Sequence, residues 1–302
     1  MRKKCSKAIL LLLILSFCMA GCGKGNRASA MKIEAITQEE DNLFSCSYDG
    51  VAHEFLLELP EDTQGAPLVL LLHGYGNTAK SFRSSIHFEE KANSLGYAVV
   101  YVTGAANPGD ATSAVGWNSG MSADGNDDVG FLVALAEYLQ EEYSFSEERT
   151  YAVGFSNGAF MTHRLAMEAS DTFTAVVSVA GMMPEEIWLN RNESNDVGVF
   201  QITGEKDDVV PKNSDGSAKY SKAPAIEDVM DYWVKSNGLE EAESTEIGKG
   251  SVFTKYAKEG KDKRVWNLFI KDGRHSWPDE KITGIDINAL ILEFMERQEE
   301  IC

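Results

Sequence analysis

Thr150-Tyr151-Ala152-Val153-Gly154-Phe155-Ser156-Asn157-Gly158-Ala159-Phe160-Met161 decides how this chain folds. Its first half is a short apolar run that suits a strand buried on both faces, and its second half opens a helical pattern over 158–169. Between them sits a serine with a glycine two residues away on either side. The glycines let strand and helix backbones approach closely around a strained turn, which lifts the Ser156 hydroxyl to the C-terminal edge of a sheet. A serine held there is a candidate nucleophile. The bland alternative is a helix-capping serine in a glycine-rich loop. The strand-to-helix context favours the nucleophile.

Outward from this turn the punctuation is regular. Apolar runs at 67–72, 97–102, 175–180, 199–203 and 265–270 predict further buried strands. Helical patterns fall at 82–95, 129–143, 225–235 and 286–297, the second of them capped by Asp127 or Asp128 and apolar along Phe131, Leu132, Leu135, Tyr138 and Leu139. Two more strands, 44–48 and 54–59, pair across a turn at Asp49-Gly50. Strand and helix alternate from residue 67 onward, which predicts an α/β fold: a mainly parallel sheet covered by helices on both faces, with an antiparallel pair at its start. Repeats and low-complexity segments are absent.

A serine nucleophile needs a base, and in a fold of this kind the partners follow it in the order acid, then histidine. His53, His73 and His87 precede Ser156, and His163 lies two helical turns beyond it. That leaves His275, in a loop just after the last apolar strand. The acid belongs after a strand between the two, where Glu205, Asp207 and Asp208 follow a glycine turn; spacing does not choose among them. Backbone N–H groups for a developing oxyanion are expected from Asn157, next to the serine, and from Tyr75 in the loop after 67–72. His73 in that loop reads as a structural hydrogen bonder. Asp124, Asn126 and Asp128 begin like a calcium loop, but Val129 stands where glycine is required and Leu135 where the bidentate glutamate should be. No metal spacing is found and no cofactor is expected.

With 47 acidic against 28 basic residues the net charge is −19, which repels phosphate backbones and makes nucleic acid an unsuitable partner. Hydrophobic residues make up 43 %, enough for one full-sized core. The beginning of the chain differs. Arg2, Lys3, Lys4 and Lys7 precede an apolar run at 9–17, far short of a membrane span, so residues 1–21 read as an export signal. The run ends in Met19-Ala20-Gly21-Cys22, which resembles the lipobox of bacterial lipoproteins. That resemblance implies a lipidated Cys22 and an exported protein anchored on the outer face of the cell membrane, touching it only through the lipid. Residues 22–42 then read as a flexible tether and 43–302 as a single domain. Cys46 and Cys302 could pair in an oxidising compartment, or stay as two thiols.

Six segments, in order, resemble one known group: LHGYGNTAKSF (72–82), GWNSG (116–120), DDVGF (127–131), GFSNGAFMTHRLA (154–166), DDVVP (207–211) and RHSWP (274–278). They are similar to the polyhydroxybutyrate depolymerase and feruloyl esterase family of secreted α/β-hydrolases, and they span nearly the whole domain. The resemblance implies an α/β-hydrolase fold, Asp207 as the acid, His275 as the base, and carboxylester hydrolysis on polyester, hydroxycinnamoyl-sugar or acetyl-sugar substrates. The rival readings are a peptidase or thioesterase on the same fold, and a lipoprotein that only binds a ligand. The short segment 181–198 leaves little chain for a cap over Ser156, so an open site is expected. Trp117 and Trp277 are candidates for an aromatic wall beside the serine, with core packing as the alternative for each.

Overall fold

The computed structural model describes residues 32–108, 112–121, 125–191, 196–212, 222–261 and 263–298. The segment read as an export signal, Cys22 and Cys302 lie outside these residues. The described chain begins with β1 (Glu34–Gln38), β2 (Leu43–Tyr48) and β3 (Val51–Glu58), paired antiparallel. Then come β4 (Leu68–Leu72), α1 (Ala79–Ile86), α2 (Phe88–Ser94), β5 (Ala98–Thr103), a two-stranded ribbon of β6 (Ala105–Ala106) and β7 (Val115–Gly116), and α3 (Asp128–Tyr143). β8 (Thr150–Phe155), α4 (Asn157–Glu168), β9 (Ala175–Val179), α5 (Glu185–Leu189), β10 (Gly198–Gly204) and α6 (Ile226–Ser236) continue the alternation. β11 (Glu241–Ile247) and β12 (Ser251–Ala257) precede β13 (Val265–Ile270), and α7 (Glu280–Thr283) and α8 (Ile287–Glu296) follow it.

One sheet takes all strands but the ribbon, in the order β1-β2-β3-β5-β4-β8-β9-β10-β13-β12-β11. Its centre, β5 to β13, is parallel throughout. The pleat sends alternate residues of β4 to opposite faces: Leu68, Leu70 and Leu72 join one apolar cluster, Val69 and Leu71 the other. Phe131 and Leu135 of α3, Met161 and Leu165 of α4 and Trp233 of α6 cover the first face. Phe82 of α1, Phe88 of α2 and Phe294 of α8 cover the second. Helices therefore lie on both faces, as the alternation predicts.

Three expectations need correction. The tether read over 22–42 contains β1, which pairs with β2 at the edge of the sheet. The single helix read over 82–95 is two, because His87 adopts a left-handed backbone (φ 46°) that ends α1 and starts α2. The unbroken alternation to the chain end is interrupted by the β11–β12 hairpin, which pairs antiparallel with β13. β1 and β11 are edge strands, reading Glu-Ala-Ile-Thr-Gln and Glu-Ala-Glu-Ser-Thr-Glu-Ile. Charged edges resist unwanted pairing with other chains, and the same charges remove the apolar alternation by which strands are recognised. The turn at Asp49-Gly50 forms as expected, both residues at positive φ (49° and 75°). Cys46 on β2 is a buried free thiol whose pKa burial pushes up to about 12.

Candidate active site

The ends of three parallel strands meet at one point: Ser156 follows β8, the Asp207 loop follows β10, which is separated from β8 by β9, and the His275 loop follows β13, the neighbour of β10. Ser156 has φ 53° and ψ −116°, a conformation that costs an ordinary residue on the order of 1–3 kcal/mol. Its surroundings impose it. The Ser156 N–H donates to the Val179 carbonyl at 3.0 Å, and the Ser156 carbonyl accepts from Phe160 N–H at 3.0 Å. A Cβ on Gly154 would stand 2.1 Å from the Gly158 carbonyl oxygen, and one on Gly158 would stand 2.1 Å from that of Leu72. Only glycines permit this crossing of β8, α4 and β4.

His275 Nε2 lies 2.9 Å from Ser156 Oγ, and His275 Nδ1 lies 2.9 Å from Asp207 Oδ2. Asp207 Oδ1 accepts the backbone N–H groups of Val209 (2.9 Å) and Val210 (2.8 Å), and its side chain is wholly buried. A carboxylate can only accept, so Nδ1 carries the proton towards Asp207 and Nε2 presents its lone pair to the serine hydroxyl. Of the three carboxylates left open by spacing, this is the one brought to the histidine. Glu205 is turned away to Lys271 and the Asp272 N–H, and Asp208 is exposed.

The remaining histidines serve packing, apart from the exposed His87 at the α1–α2 junction. His73 is fully buried and accepts the Gly104 N–H on Nε2 at 3.0 Å, so Nδ1 donates to the Gly74 carbonyl at 2.7 Å; burial pushes its pKa down to about 4. His163 meets Gln201 at 3.0 Å, and His53 stacks on Phe131 with ring centroids 3.7 Å apart; burial lowers each to about 4 as well.

Asn157 is the first residue of α4, where backbone N–H groups lack helical partners and the helix dipole favours negative charge. Gly74 packs against the turn, since a Cβ there would stand 3.4 Å from Ser156 Cβ, and this brings the Gly74–Tyr75 backbone beside the serine. Asn157 thus opens α4 directly after the serine, and the loop that carries Tyr75 packs against the same turn. The Asn157 side chain has a task that the sequence did not announce. Its Oδ1 accepts the Trp117 N–H at 2.7 Å, while its Nδ2 donates to the Trp117 carbonyl at 3.2 Å and to Ser119 Oγ at 3.3 Å. The amide thus fastens the 116–120 segment to the turn.

A family profile described as phospholipase/carboxylesterase matches residues 58–231, more than half of the chain. The chain belongs to that family. Its α/β-hydrolase architecture is shared with an acetyl xylan esterase from Aspergillus awamori, at a TM-score of 0.56 and 12 % identity, over 81 % of this chain and 94 % of that one. A Bacillus cereus carboxylesterase matches at a TM-score of 0.51 and 14 % identity, over 82 % of this chain and 94 % of that one. Among curated proteins, a putative esterase of Nocardia uniformis is 27 % identical over 72 % of this chain and 67 % of its own length. A bifunctional acetylxylan esterase/xylanase of Neocallimastix patriciarum is 26 % identical over 48 % of this chain, and feruloyl esterase B of Neurospora crassa is 28 % identical over 38 %. The aligned part spans only 20 % and 39 % of those two. Membership in the phospholipase/carboxylesterase family makes the chain a hydrolase acting on ester bonds.

One of the two tryptophans expected beside the serine of this esterase is misplaced. Trp117 is 3 % exposed, donates its indole N–H to the His73 carbonyl at 2.9 Å, and packs in the core. It forms no wall of the site. Trp277 is half-buried, edge-on to Phe82 at 5.6 Å, with its N–H on Asn288 Oδ1 at 3.1 Å. The exposed ring next to the turn is Tyr75, 52 % accessible, whose edge lies 3.0 Å from where a Cβ on Gly116 would stand. Loop aromatics reveal their burial only through the tertiary structure, so the sequence carried no signal separating Trp117 from Tyr75.

Among the described residues, one group of metal-capable side chains comes together, His87, Glu89 and Glu90. Glu89 is already bonded to Arg83 (3.1 Å) and the Tyr101 hydroxyl (2.6 Å), so the cluster is a helix junction.

Asp127 caps α3 by accepting the Gly130 N–H at 3.0 Å, and Asp128, 1 % exposed, accepts the Asn118 N–H at 2.6 Å. Burial pushes the Asp128 carboxyl up to about 7, against the pull of the Asn118 N–H and of Arg164. The folded protein therefore holds this proton where an unfolded chain, with an ordinary carboxyl near 4, has released it. More protons are bound in the folded state, so this contribution to stability is present below about pH 4 and is lost as pH rises towards 7. Thermal melts of wild type and Asp128→Asn from pH 4 to 8 should show the variant gaining on wild type as pH rises, by a few kcal/mol in total. A difference independent of pH would contradict the assignment.

Proposed function

We propose that this protein is a serine carboxylesterase acting on short acyl or hydroxycinnamoyl esters, such as acetyl and feruloyl groups on polysaccharide. One observation carries the chemistry: the continuous relay from buried Asp207 through His275 to Ser156 Oγ, 2.9 Å at each link. In this reading Ser156 Oγ attacks the ester carbonyl carbon while His275 Nε2 takes its proton. Asp207 orients the imidazole and stabilises its charged form. The oxyanion accepts hydrogen bonds from the Tyr75 and Asn157 N–H groups. Collapse expels the alcohol, which leaves with the proton from His275. Water, activated by the same nitrogen, then releases the acid and restores the serine.

The substrate class draws support from two directions. Feruloyl and acetylxylan esterases are among the relatives. The chain between β9 and β10 supplies only one described helix, the five-residue α5, too little to roof a deep acyl tunnel of the kind long lipid chains need. A hydrolysis panel tests the reading: methyl ferulate, acetylated xylan, hydroxybutyrate oligomers and long-chain acyl esters. We expect turnover of the first two and little of the last. Preference for long-chain esters would refute the open site, and cleavage of hydroxybutyrate oligomers alone would make the protein a polyester depolymerase with the same machinery.

A further inference from the structure

The ends of β9, β10 and β13 and the short helix α7 enclose a cavity of about 170 Å³. Its floor is apolar, built from Val179, Ala180, Ile202 and Ile270, with Ile282, 70 % exposed, at the rim. The floor adjoins the serine turn, because the Val179 carbonyl is the acceptor for Ser156 N–H. The rim adjoins the base, because Arg274 and Ser276, the neighbours of His275 in the chain, both line the cavity.

Arg274 stands apart from the other arginines. Arg83 pairs with Glu58 and Glu89, Arg164 with Glu168, and Arg191 lies 3.6 Å over the Trp188 ring. Arg149 and Arg264 donate to backbone carbonyls, and Arg297 also has a partner. Among the described arginines Arg274 alone engages no side-chain hydrogen bond, ion pair or ring. Two carboxylates line the same cavity, yet both are engaged elsewhere. Asp272 pairs with Lys206, which holds its carboxyl below the usual range, and Asp279 accepts the Lys281 N–H at 2.8 Å as the cap of α7. The rim thus carries a fork of donors without an acceptor, above an apolar floor that strengthens any charge pairing made against it.

We propose that Arg274 and this cavity form a substrate subsite for a carboxylate borne a few carbons from the scissile ester. The proposal rests on the ester-hydrolase reading and narrows it to acidic esters: the carbons lie on the Ile202 and Ile270 floor, and the guanidinium receives both carboxylate oxygens. The carboxylate could belong to the acyl part or to the alcohol part, and matched substrates separate these. The acyl-side pair is 4-nitrophenyl hydrogen succinate and its methyl ester; the alcohol-side pair is O-acetyl-lactate and methyl O-acetyl-lactate. Each pair differs in charge and by one methyl group only. Wild type should favour the charged member of one pair by tenfold or more in kcat/KM, chiefly through KM, with the preference shrinking as salt is added. Arg274→Gln should bring the charged-to-neutral ratio towards one, and Arg274→Lys should restore part of it. Turnover of the neutral esters without charge preference, or a ratio that Arg274→Gln leaves intact, would overturn the subsite alone. Failure to hydrolyse any of the four would overturn the esterase reading as well.

Discussion

Ser156→Ala and His275→Ala should each lower kcat on a short acyl ester by on the order of 10⁴–10⁶, and Asp207→Asn by on the order of 10⁴. The relay explains the size. Without the hydroxyl there is no atom to form the acyl-enzyme, and without Nε2 the hydroxyl at 2.9 Å has no acceptor for its proton. Asp207→Asn keeps the shape but replaces a pure acceptor by an amide, so the imidazole loses both its fixed tautomer and the charge that steadies its protonated form. Because the three act as one unit, the double variant Ser156→Ala/His275→Ala should be scarcely worse than either single one. Asp208→Asn and Glu205→Gln supply the contrast, since one side chain is exposed and the other is bound to Lys271. Both should keep activity within a few-fold of wild type. Steady-state kinetics on the purified variants decides the matter, and a collapse in Asp208→Asn with turnover retained in Asp207→Asn would overturn the assignment of the acid.

How much of this was legible in the sequence depends on where each signal resides. Strands buried on both faces, such as β4 and β8, announce themselves as unbroken apolar runs. The serine turn is legible too, because its glycines answer a local steric demand within five residues. Edge strands β1 and β11 are not, since solvent and the avoidance of mispairing select the charges that hide them. Helix 82–95 broke where His87 takes a left-handed backbone, an event that no residue type in the run foretells. At the site, order along the chain singles out His275 by elimination, but three carboxylates within four positions differ only in orientation, which tertiary structure sets. The Asn157 clasp joins residues 38 and 40 positions apart, and the floor beside Arg274 draws on β9 and β10, far from it in the chain; no local pattern carries such information.

Gly158→Ala gives the second large effect, and two principles disagree about its sign. Gly158 lies in the first turn of α4, and helix propensity alone would reward alanine there by about 1 kcal/mol. The built Cβ, however, would stand 2.1 Å from the Leu72 carbonyl oxygen, 2.6 Å from its carbon and 2.7 Å from the His73 carbonyl oxygen. All three are backbone atoms at the end of β4, so no rotamer change relieves the contact. Either α4 lifts off the sheet or β4 bends, and overpacking of this kind costs about 3 kcal/mol or more. Sterics therefore wins, and the variant should be clearly destabilised in chemical denaturation. Activity should fall further than stability, because the same displacement carries the Asn157 N–H away from the serine and loosens the loop holding Tyr75. Gly65→Ala separates the two causes: its φ of 68° strains an alanine, but nothing lies within 4 Å of the new methyl. It should lose about 1–2 kcal/mol and keep its turnover. A Gly158→Ala protein as stable and active as wild type would mean that strand and helix do not cross as closely as described.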